Sequence, residues 1–394
     1  MTAVRFDKST KLFPSKKERI FLGHCAISPL YNNAAETMVD FIRNLSAAGI
    51  SALPKYFHVL PEFHELCGRF LKTGAENISY VHNTAEAMCM IANGYPFEPG
   101  DEVISYIHEY PSNHYPWVLQ EKRGVKLVLL ADSAPSPDCQ GISGPRGWSL
   151  EELEEKISDR TRVVALSHVQ FTSGYAADLQ ELGKVCSKNN IDLVVDCAQS
   201  MGCLPVFPEQ FQAAAVVSSG WKWLMGPMGS ALLYTSERFR RKLAVTMAGP
   251  GLMRQGLDYL NHSWQPHEDG RKLEYSTVPW DHVAAMNVLL KEVFLRYDIE
   301  YIRDEVFRLQ DLFLSAVKKD TCGFLRLPPK NRSGILAAKP KADCSHFVEK
   351  FAGRQVVVTA PTGYLRFAPH FYNDDEQVIA AAQHLNSLDE EYEV

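Results

Sequence analysis

The sequence contains no apolar run that approaches the ~20 residues needed to cross a membrane. Its first residues, MTAVRFDKSTKLFPSKKERIF, include no apolar core of a targeting peptide. Positive charge is also scarce, because 41 lysines and arginines stand against 47 aspartates and glutamates, for a net charge of -6. Such a balance offers no basic face to nucleic acid or to an anionic membrane. We therefore expect a soluble, untargeted protein with neither of them as a partner.

Cysteines are scattered and unpaired along the chain. There are nine, an odd number, and no two of them form a C-x-x-C pair. This pattern argues against a disulfide framework and against a zinc knuckle, and no metal site is predicted. A reducing cytoplasm fits it best. No G-x-G-x-x-G motif follows an early strand, so a dinucleotide-binding dehydrogenase is set aside.

Short β-branched runs alternate with longer amphipathic segments through most of the chain. With 46% hydrophobic and 22% charged residues, the composition is that of an ordinary globular protein. The alternation predicts an α/β fold with a mainly parallel, seven-stranded sheet flanked by helices. The predicted strands are 77–82, 102–107, 125–130, 162–169, 191–196, 214–219 and 229–234.

The pattern changes after about residue 260. Helices are predicted at 281–297, 299–318 and 374–388, with short strands at 333–337, 355–359 and 364–368. This order predicts a second, smaller α+β domain at the C-terminal end. We place the division between a large domain, 31–265, and a small domain, 266–394.

The segment SSGWKWLMGPMGS, residues 218–230, sets Lys222 between two tryptophans in an otherwise uncharged stretch. A buried ammonium group is costly unless it is paired, neutralised or used. Asp196 ends a strand 26 residues earlier, and neighbouring strands would bring the two together. A plain ion pair is the simpler interpretation, but it leaves the nearby serines, the glycines of GPMG and Tyr110 without a role.

Polar side chains follow several predicted strands, where ligands bind in doubly wound sheets. Thr84 stands where a helix N-cap belongs, and it would form an anion site with the free amides of Ala85 and Glu86. Tyr110 could cover a flat ligand. Taken singly, Thr84 could be a plain cap and Tyr110 a core residue. Together with Ser219, Asp196 and Lys222 they meet the needs of pyridoxal phosphate: a Schiff-base lysine, a carboxylate for the pyridine nitrogen, a ring cover and a phosphate site.

At this point the sequence resembles the class V aminotransferases, which include cysteine desulfurases, isopenicillin N epimerase-like proteins and carbon-sulfur lyases. The resemblance runs from about residue 20 to 388. Its ordered motifs are FLGHCAISPL, HNTAEA, EYPSNHYPW, SHVQFTSG, VVDCAQSMG, SSGWKWLMGPMG, EYSTVPW and LRFAPHFYN. The resemblance implies the fold type I of pyridoxal-phosphate-dependent transferases, with 31–265 as the cofactor-binding domain. It also implies that residues 1–30 contribute to the substrate site, with Ala26 as a substrate contact.

The resemblance further implies a role for each site residue. Lys222 forms the Schiff base, Asp196 contacts the pyridine nitrogen and Tyr110 stacks on the ring, which makes these three the catalytic set. The cofactor phosphate is held by Thr84, the Ala85 amide and Ser219, and Gln199 and Thr172 lie near the ring hydroxyl. Thr277 reaches the phosphate of a neighbouring subunit, which implies a homodimer with shared active sites. Arg366 binds the α-carboxylate of an amino-acid substrate.

Three departures from the family pattern bear on the reaction. Trp221 replaces a phosphate-binding histidine, Thr172 stands where asparagine is common, and the segment RQVVVTAPTGYLRF lacks the nucleophilic cysteine of desulfurases. No cysteine follows Cys344. Without that thiol, a carbon-sulfur β-lyase is the favoured function. Aminotransferase and amino-acid epimerase remain alternatives, and a non-catalytic binding or regulatory protein of the same fold is a third.

Overall fold

The computed structural model describes residues 5–133, 144–318, 321–340 and 343–392. Its centre is a seven-stranded sheet in the order β2-β8-β7-β6-β5-β3-β4. The strands are β2 (Ile78–Val81), β3 (Glu102–Tyr106), β4 (Lys126–Leu130), β5 (Thr161–Ser167), β6 (Asp192–Asp196), β7 (Ala215–Ser219) and β8 (Ala231–Thr235). All seven predicted strands are present, and the predicted α/β fold is confirmed.

One strand of this sheet runs against the others. β8 is antiparallel to both of its neighbours, β2 and β7, while the remaining pairs are parallel. The other six strands therefore point the same way, and their carboxyl ends share one edge. Strands β5 to β8 are buried almost throughout, as expected for a sheet covered on both faces.

Helices cover the sheet and continue toward the C-terminal end. Helix α8 packs against both α1 and α2, and α10 packs on α12. The helices are α1 (Asn32–Ala48), α2 (Val59–Leu71), α3 (Thr84–Gly94), α4 (Tyr115–Val118), α5 (Leu150–Lys156), α6 (Leu179–Lys188), α7 (Glu237–Lys242), α8 (Trp280–Leu289), α9 (Leu295–Tyr297), α10 (Ile299–Ala316), α11 (Cys344–Gly353) and α12 (Asp375–Tyr392). None of the described helices combines the length and apolar character that crossing a bilayer requires.

The predicted helix 281–297 is present as a continuous helical segment, but it is not α-helical throughout. A π-helical turn, Leu290–Phe294, separates α8 from α9. Glu292 lies in this turn and accepts hydrogen bonds from the side chains of Tyr31 and Asn33 at the start of α1. These bonds tie the turn to the first helix of the chain.

Two small sheets lie apart from the large one. β1 (Ile20–Phe21) pairs in parallel with β11 (Val356–Val357), so an early segment joins a late one. The other sheet has the order β12-β10-β9, with β9 (Gly323–Phe324), β10 (Leu336–Lys339) and β12 (Leu365–Phe367).

Strand β10 begins later than the predicted 333–337. Residue Ser333 is turned instead toward the large sheet, because its hydroxyl donates to the Gly174 carbonyl and accepts from the Ile335 amide. The domain boundaries predicted after residues 30 and 265 stay predictions.

Candidate active site

A cleft lies at the edge where the strands of the large sheet end. Its cavity has a volume of about 100 Å³. Six of the predicted site residues line it, namely Thr84, Tyr110, Asp196, Gln199, Ser219 and Lys222. Its remaining lining residues are Asn83, Ser112, Ser167, Val169, Phe171, Ala198 and Trp221. The sequence positions that follow β2, β3, β5, β6 and β7 thus meet in one place, as the rule for open α/β sheets predicts.

Lys222 lies on a tight loop between β7 and β8. The Gly226 amide donates to the Gly220 carbonyl at 2.8 Å and closes this loop. A Cβ atom at Gly220 would lie 2.4 Å from the Ser230 hydroxyl oxygen, so only glycine fits there. The loop therefore holds the lysine at the end of β7, next to Ser219.

Two distant segments of the chain hold the backbone of this loop. The Ser28 hydroxyl donates to the Lys222 carbonyl at 2.6 Å. His370 contacts the next carbonyl, that of Trp223, through Nε2 at 2.9 Å, and its Nδ1 accepts the Phe371 amide. Nε2 is therefore the protonated nitrogen of a neutral ring. The ring stays neutral because burial lowers the pKa of His370 to about 4.

The Lys222 amine is buried but is not in an ion pair. Its Nζ lies 5.2 Å from the centroid of the Tyr110 ring, and within the described chain no carboxylate is at salt-bridge distance from it. Burial lowers the pKa of Lys222. The negative charge of Asp196 raises this pKa, and the positive charge of Arg366 lowers it further. The simple Lys222–Asp196 ion pair is therefore not formed, and the amine is set up to lose its proton readily.

Asp196 ends β6 beneath the same cleft. Its Oδ1 accepts the Ala198 amide at 2.8 Å. Burial raises the pKa of Asp196, and the charge of Lys222 and the Ala198 hydrogen bond act in the opposite direction. A buried carboxylate with one backbone hydrogen bond and no bound cation can accept a cationic N–H from a ligand.

The N-terminus of α3 differs from the prediction. The N-cap is Asn83, whose side chain accepts the Glu86 amide at 2.8 Å, and Thr84 is the first helical residue. The Glu86 amide is therefore not available to an anion. The amides of Thr84 and Ala85 belong to the first turn, where no acceptor exists within the helix. These two amides and the Thr84 hydroxyl remain the potential anion donors at this end.

Two buried hydroxyls of the predicted site have no partner. Ser219 Oγ and Thr172 Oγ1 are enclosed and make no hydrogen bond to any described residue. Ser219 lines the cleft, while Thr172 follows the cleft residue Phe171. Orphaned buried hydroxyls are rare in folded proteins, and a ligand with oxygen acceptors would satisfy them. Together with the free turn of α3, they fit a phosphate-bearing cofactor such as pyridoxal phosphate.

Arg366, on β12, is buried beside the cleft without an acidic partner in the described chain. Its Nε and Nη2 donate to the Thr359 hydroxyl at 3.2 and 2.9 Å, and its Nη1 donates to the Phe171 carbonyl. A guanidinium group has five N–H donors. One N–H is therefore free on each terminal nitrogen, which is the fork that a carboxylate accepts.

The other predicted residues lie around the cleft. The Gln199 amide is fixed, since Nε2 donates to the Cys25 carbonyl at 2.8 Å and Oε1 accepts from Trp223. Ala26 follows Cys25 and is partly buried. Thr277 is exposed and does not line the cleft. The roles predicted for these residues stay predictions.

Three residues near the site were not predicted from the sequence, namely Glu109, Cys25 and Thr359. Glu109 is buried beneath Tyr110 and accepts hydrogen bonds from Ser167. Cys25 places its Sγ 3.5 Å from the hydroxyl of Thr359, the partner of Arg366. Only the position of Glu109 directly before Tyr110 could have drawn attention to it. The contact between Cys25 and Thr359 joins residues 334 positions apart, and no local pattern announces it.

Comparison with known proteins assigns the chain to a family. The family model described as Aminotransferase class-V matches residues 20–363. The chain belongs to the class V aminotransferase family. The predicted family membership is therefore confirmed, and the cleft described above is the candidate active site of a class V aminotransferase.

Among curated relatives of this class V aminotransferase is a probable cysteine desulfurase of Methanothermobacter thermautotrophicus. It is 25% identical over 256 residues, which are 64% of this chain and 61% of that protein. The match thus spans less than two thirds of the relative. A probable cysteine desulfurase of Borreliella burgdorferi is 24% identical over 392 residues, 94% of this chain and 89% of that protein.

The fold is shared with solved structures. The apo structure of a cysteine desulfurase from Thermococcus onnurineus NA1 has a TM-score of 0.86 and 21% identity, and the match covers 99% of this chain and 100% of that one. This likeness supports the predicted fold type of the class V aminotransferase.

Proposed function

We propose that this chain is a pyridoxal-phosphate-dependent enzyme that acts at the α-carbon of an amino acid and cleaves a carbon-sulfur bond at the β position. The observation that carries the proposal is the cleft lined by Lys222 and the buried Asp196, which form no ion pair, with the buried Arg366 beside it on the Phe171 carbonyl. Family membership and the relatives named cysteine desulfurase support a carbon-sulfur lyase.

Pyridoxal phosphate is the cofactor of this enzyme, and when bound it supplies a conjugated pyridine ring that takes up the electron pair left at the α-carbon. Thr84, the Ala85 amide and Ser219 would hold its phosphate. Asp196 would hold the proton on the pyridine nitrogen, and Tyr110 would cover the ring. Gln199 and Thr172 would lie toward the ring hydroxyl. The two orphaned hydroxyls and the free turn of α3 support this assignment.

Lys222 would carry the cofactor and move the proton. Because burial lowers its pKa, its amine loses a proton more readily than an exposed lysine. As a neutral amine it can take the proton from the substrate α-carbon, and as an ammonium it can return one. The tight loop that closes at Gly226 holds the amine at this place.

Arg366 would orient the substrate by its α-carboxylate. One free N–H on each terminal nitrogen matches the two oxygens of a carboxylate, and Thr359 and Phe171 fix the plane of the guanidinium group. The charge of a bound carboxylate would compensate the buried cation. An α-amino acid meets both requirements of the site, since its amino group and its carboxylate are attached to the same carbon.

The reaction outcome is tested with a panel of substrates. We expect at least one S-substituted cysteine to yield stoichiometric pyruvate and ammonia without a keto-acid acceptor. Elimination of the thiol leaves an aminoacrylate, which hydrolyses to these products. Pyruvate is measured by a coupled assay, and Cys25→Ser is assayed beside the wild type, because its thiol lies close to Thr359. Equal rates in the two proteins would indicate direct elimination and would argue against sulfur transfer to the Cys25 thiol.

Two other results would contradict the lyase. Strict dependence on a keto acid would establish an aminotransferase. Exchange of the α-proton in deuterated water with inversion, and without pyruvate, would establish an epimerase. A protein that binds pyridoxal phosphate but turns over nothing in the panel would favour the non-catalytic alternative.

The enzyme would act as a homodimer in the cytoplasm. Thr277 is exposed, and Leu257, Tyr259, Leu260 and Trp264 form an exposed apolar loop that a second copy would cover. Nearby, Tyr275 donates to Glu86 at the start of α3, which ties the Thr277 segment to the proposed phosphate end. The eight described cysteines are free, which supports a reducing compartment.

The dimer is tested by light scattering. We expect a dimer in solution, and we expect Thr277→Val to retain cofactor less well during dialysis than Ser276→Ala, because only the former removes the proposed phosphate contact. A fully loaded, active monomer would refute the shared site.

A further inference from the structure

Glu109 is a buried carboxyl group that the proposed chemistry does not use. Its Oε1 accepts the Ser167 amide at 2.8 Å and the Gln170 side chain at 2.9 Å. Its Oε2 accepts the Ser167 hydroxyl at 2.5 Å and the Asn113 side chain at 3.2 Å. All four donors are neutral, and within the described chain no cation is at salt-bridge distance from this carboxylate. An ionised Glu109 therefore keeps a full negative charge inside the protein.

The partners of Glu109 belong to the two walls of the cleft. Ser167 lines the cleft and pairs with Asp196 in the β5–β6 ladder. Asn113 ends the short turn Pro111–Asn113 that directly follows Tyr110, and its side chain also accepts from Trp117. Glu109 therefore connects the turn that carries the ring cover to the strand beside the aspartate.

A second link runs through Gln170. Its neighbour Phe171 packs edge-on against the Tyr110 ring, with ring centroids 5.2 Å apart. Phe171 also accepts the hydrogen bond from Arg366. The Glu109 carboxylate thus accepts hydrogen bonds from side chains of both segments that contact Tyr110.

The charge of Glu109 is coupled to that of Asp196. Burial raises the pKa of Glu109 to about 7; the hydrogen bonds from Ser167 and Gln170 act against this rise, and the charge of Asp196 adds to it. The other titratable group that faces Glu109 is Tyr106 on β3, whose pKa is raised by burial, by Asp132 and by Glu109. Two buried carboxylates, Glu109 and Asp196, are therefore linked through Ser167 at the cleft.

We propose that Glu109 is a positioning residue of the cofactor site, which holds the Tyr110 turn against the end of β5 and adds a second negative charge near Asp196. This charge would favour protonated nitrogens on the cofactor, and the inference rests on the proposed function. Loss of the charge would lower the proton affinity of those nitrogens without removing any cofactor contact.

The test follows the visible absorption of the holoenzyme from pH 5.5 to 9. In Glu109→Gln we expect the pH midpoint of the visible band to move down by about half a unit or more, because a nearby negative charge is removed. Asn113→Ala is the matched control. It removes the longest of the four hydrogen bonds to Glu109, at 3.2 Å, and leaves the Ser167 and Gln170 bonds that favour the ionised carboxylate, so its midpoint should stay at the wild-type value. A midpoint in Glu109→Gln equal to that of the wild type would overturn the proposal.

A second variant tests the proposal if Glu109→Gln does not fold. Gln170→Ala removes a hydrogen bond that favours the ionised carboxylate, so Glu109 should stay protonated to higher pH and the midpoint of the visible band should move down, in the same direction as in Glu109→Gln. An unmoved midpoint counts against the proposal. A wild type that binds no pyridoxal phosphate and shows no visible band would overturn both this inference and the proposed function, whereas bands with equal midpoints overturn this inference alone.

Discussion

Lys222→Ala is expected to lose the visible absorption of the bound cofactor and to lower kcat by about 10³-fold or more. The replacement removes both the covalent attachment and the group that moves the α-proton, and general acid-base catalysis alone contributes about 10²- to 10⁴-fold. Absorption spectra and single-turnover rates are measured after reconstitution with pyridoxal phosphate. The circular dichroism spectrum should be unchanged, because the Ser28 and His370 hydrogen bonds to this loop are made to backbone carbonyls.

Two controls sharpen this result. Lys222→Arg keeps the positive charge but cannot serve as a neutral amine, so it should be as inactive as the alanine variant. Lys184→Ala removes an exposed lysine that pairs with Glu181 on the surface of α6, and it should match the wild type. Turnover of Lys222→Ala within tenfold of the wild type would contradict the assigned role of the lysine.

Arg366→Ala is expected to lower kcat/KM for an amino-acid substrate by more than about 100-fold. Two charge-assisted hydrogen bonds to the carboxylate are lost, and each contributes about 1.5 to 3 kcal/mol. Arg366→Lys should recover only part of this loss, because a single ammonium group cannot form the bidentate pair. Steady-state kinetics with the lyase substrate measure the effect, which should appear mainly in KM.

The role of the substrate carboxylate is also tested by changing the substrate instead of Arg366. A substrate whose carboxyl group is blocked as an amide should be a poor substrate of the wild type, and Arg366→Ala should not make it worse. Thr359→Val keeps the guanidinium group but removes the hydroxyl that accepts from its Nε and Nη2, and we expect an intermediate loss. An Arg366→Ala variant with wild-type KM and kcat would show that the substrate carboxylate binds elsewhere.

Much of the large sheet and its ligand edge could be predicted from the sequence. β-branched runs identify the strands, and parallel strands must place the residues that follow them on one edge, so Asp196, Ser219 and Lys222 converge in the structure as expected. The cap of α3 was misassigned although the signal was present. Asn83 and Glu86 have the three-residue spacing of a capping pair, and Asn83 caps as well as threonine does.

The parts that could not be predicted depend on contacts between distant segments. The turn at Ser333 takes the place of a predicted strand because it docks on Gly174, 159 residues away. The hydrogen bonds of Glu109 and the contact of Cys25 with Thr359 also join segments whose proximity appears only after the sheet has formed. Sequence periodicity describes single elements, and it contains no information about which loops then meet.

The loop that carries Lys222 is held from both directions along the chain, by Ser28 and by His370. The second of these contacts joins residues 147 positions apart. At a synthesis rate of 5 to 20 residues per second, the ribosome needs roughly 7 to 30 s to reach the histidine after the lysine has been added. During that interval the large sheet can already form, but the lysine loop lacks one of its anchors. We therefore expect the nascent chain to capture its cofactor only after the late segment carrying His370 has docked.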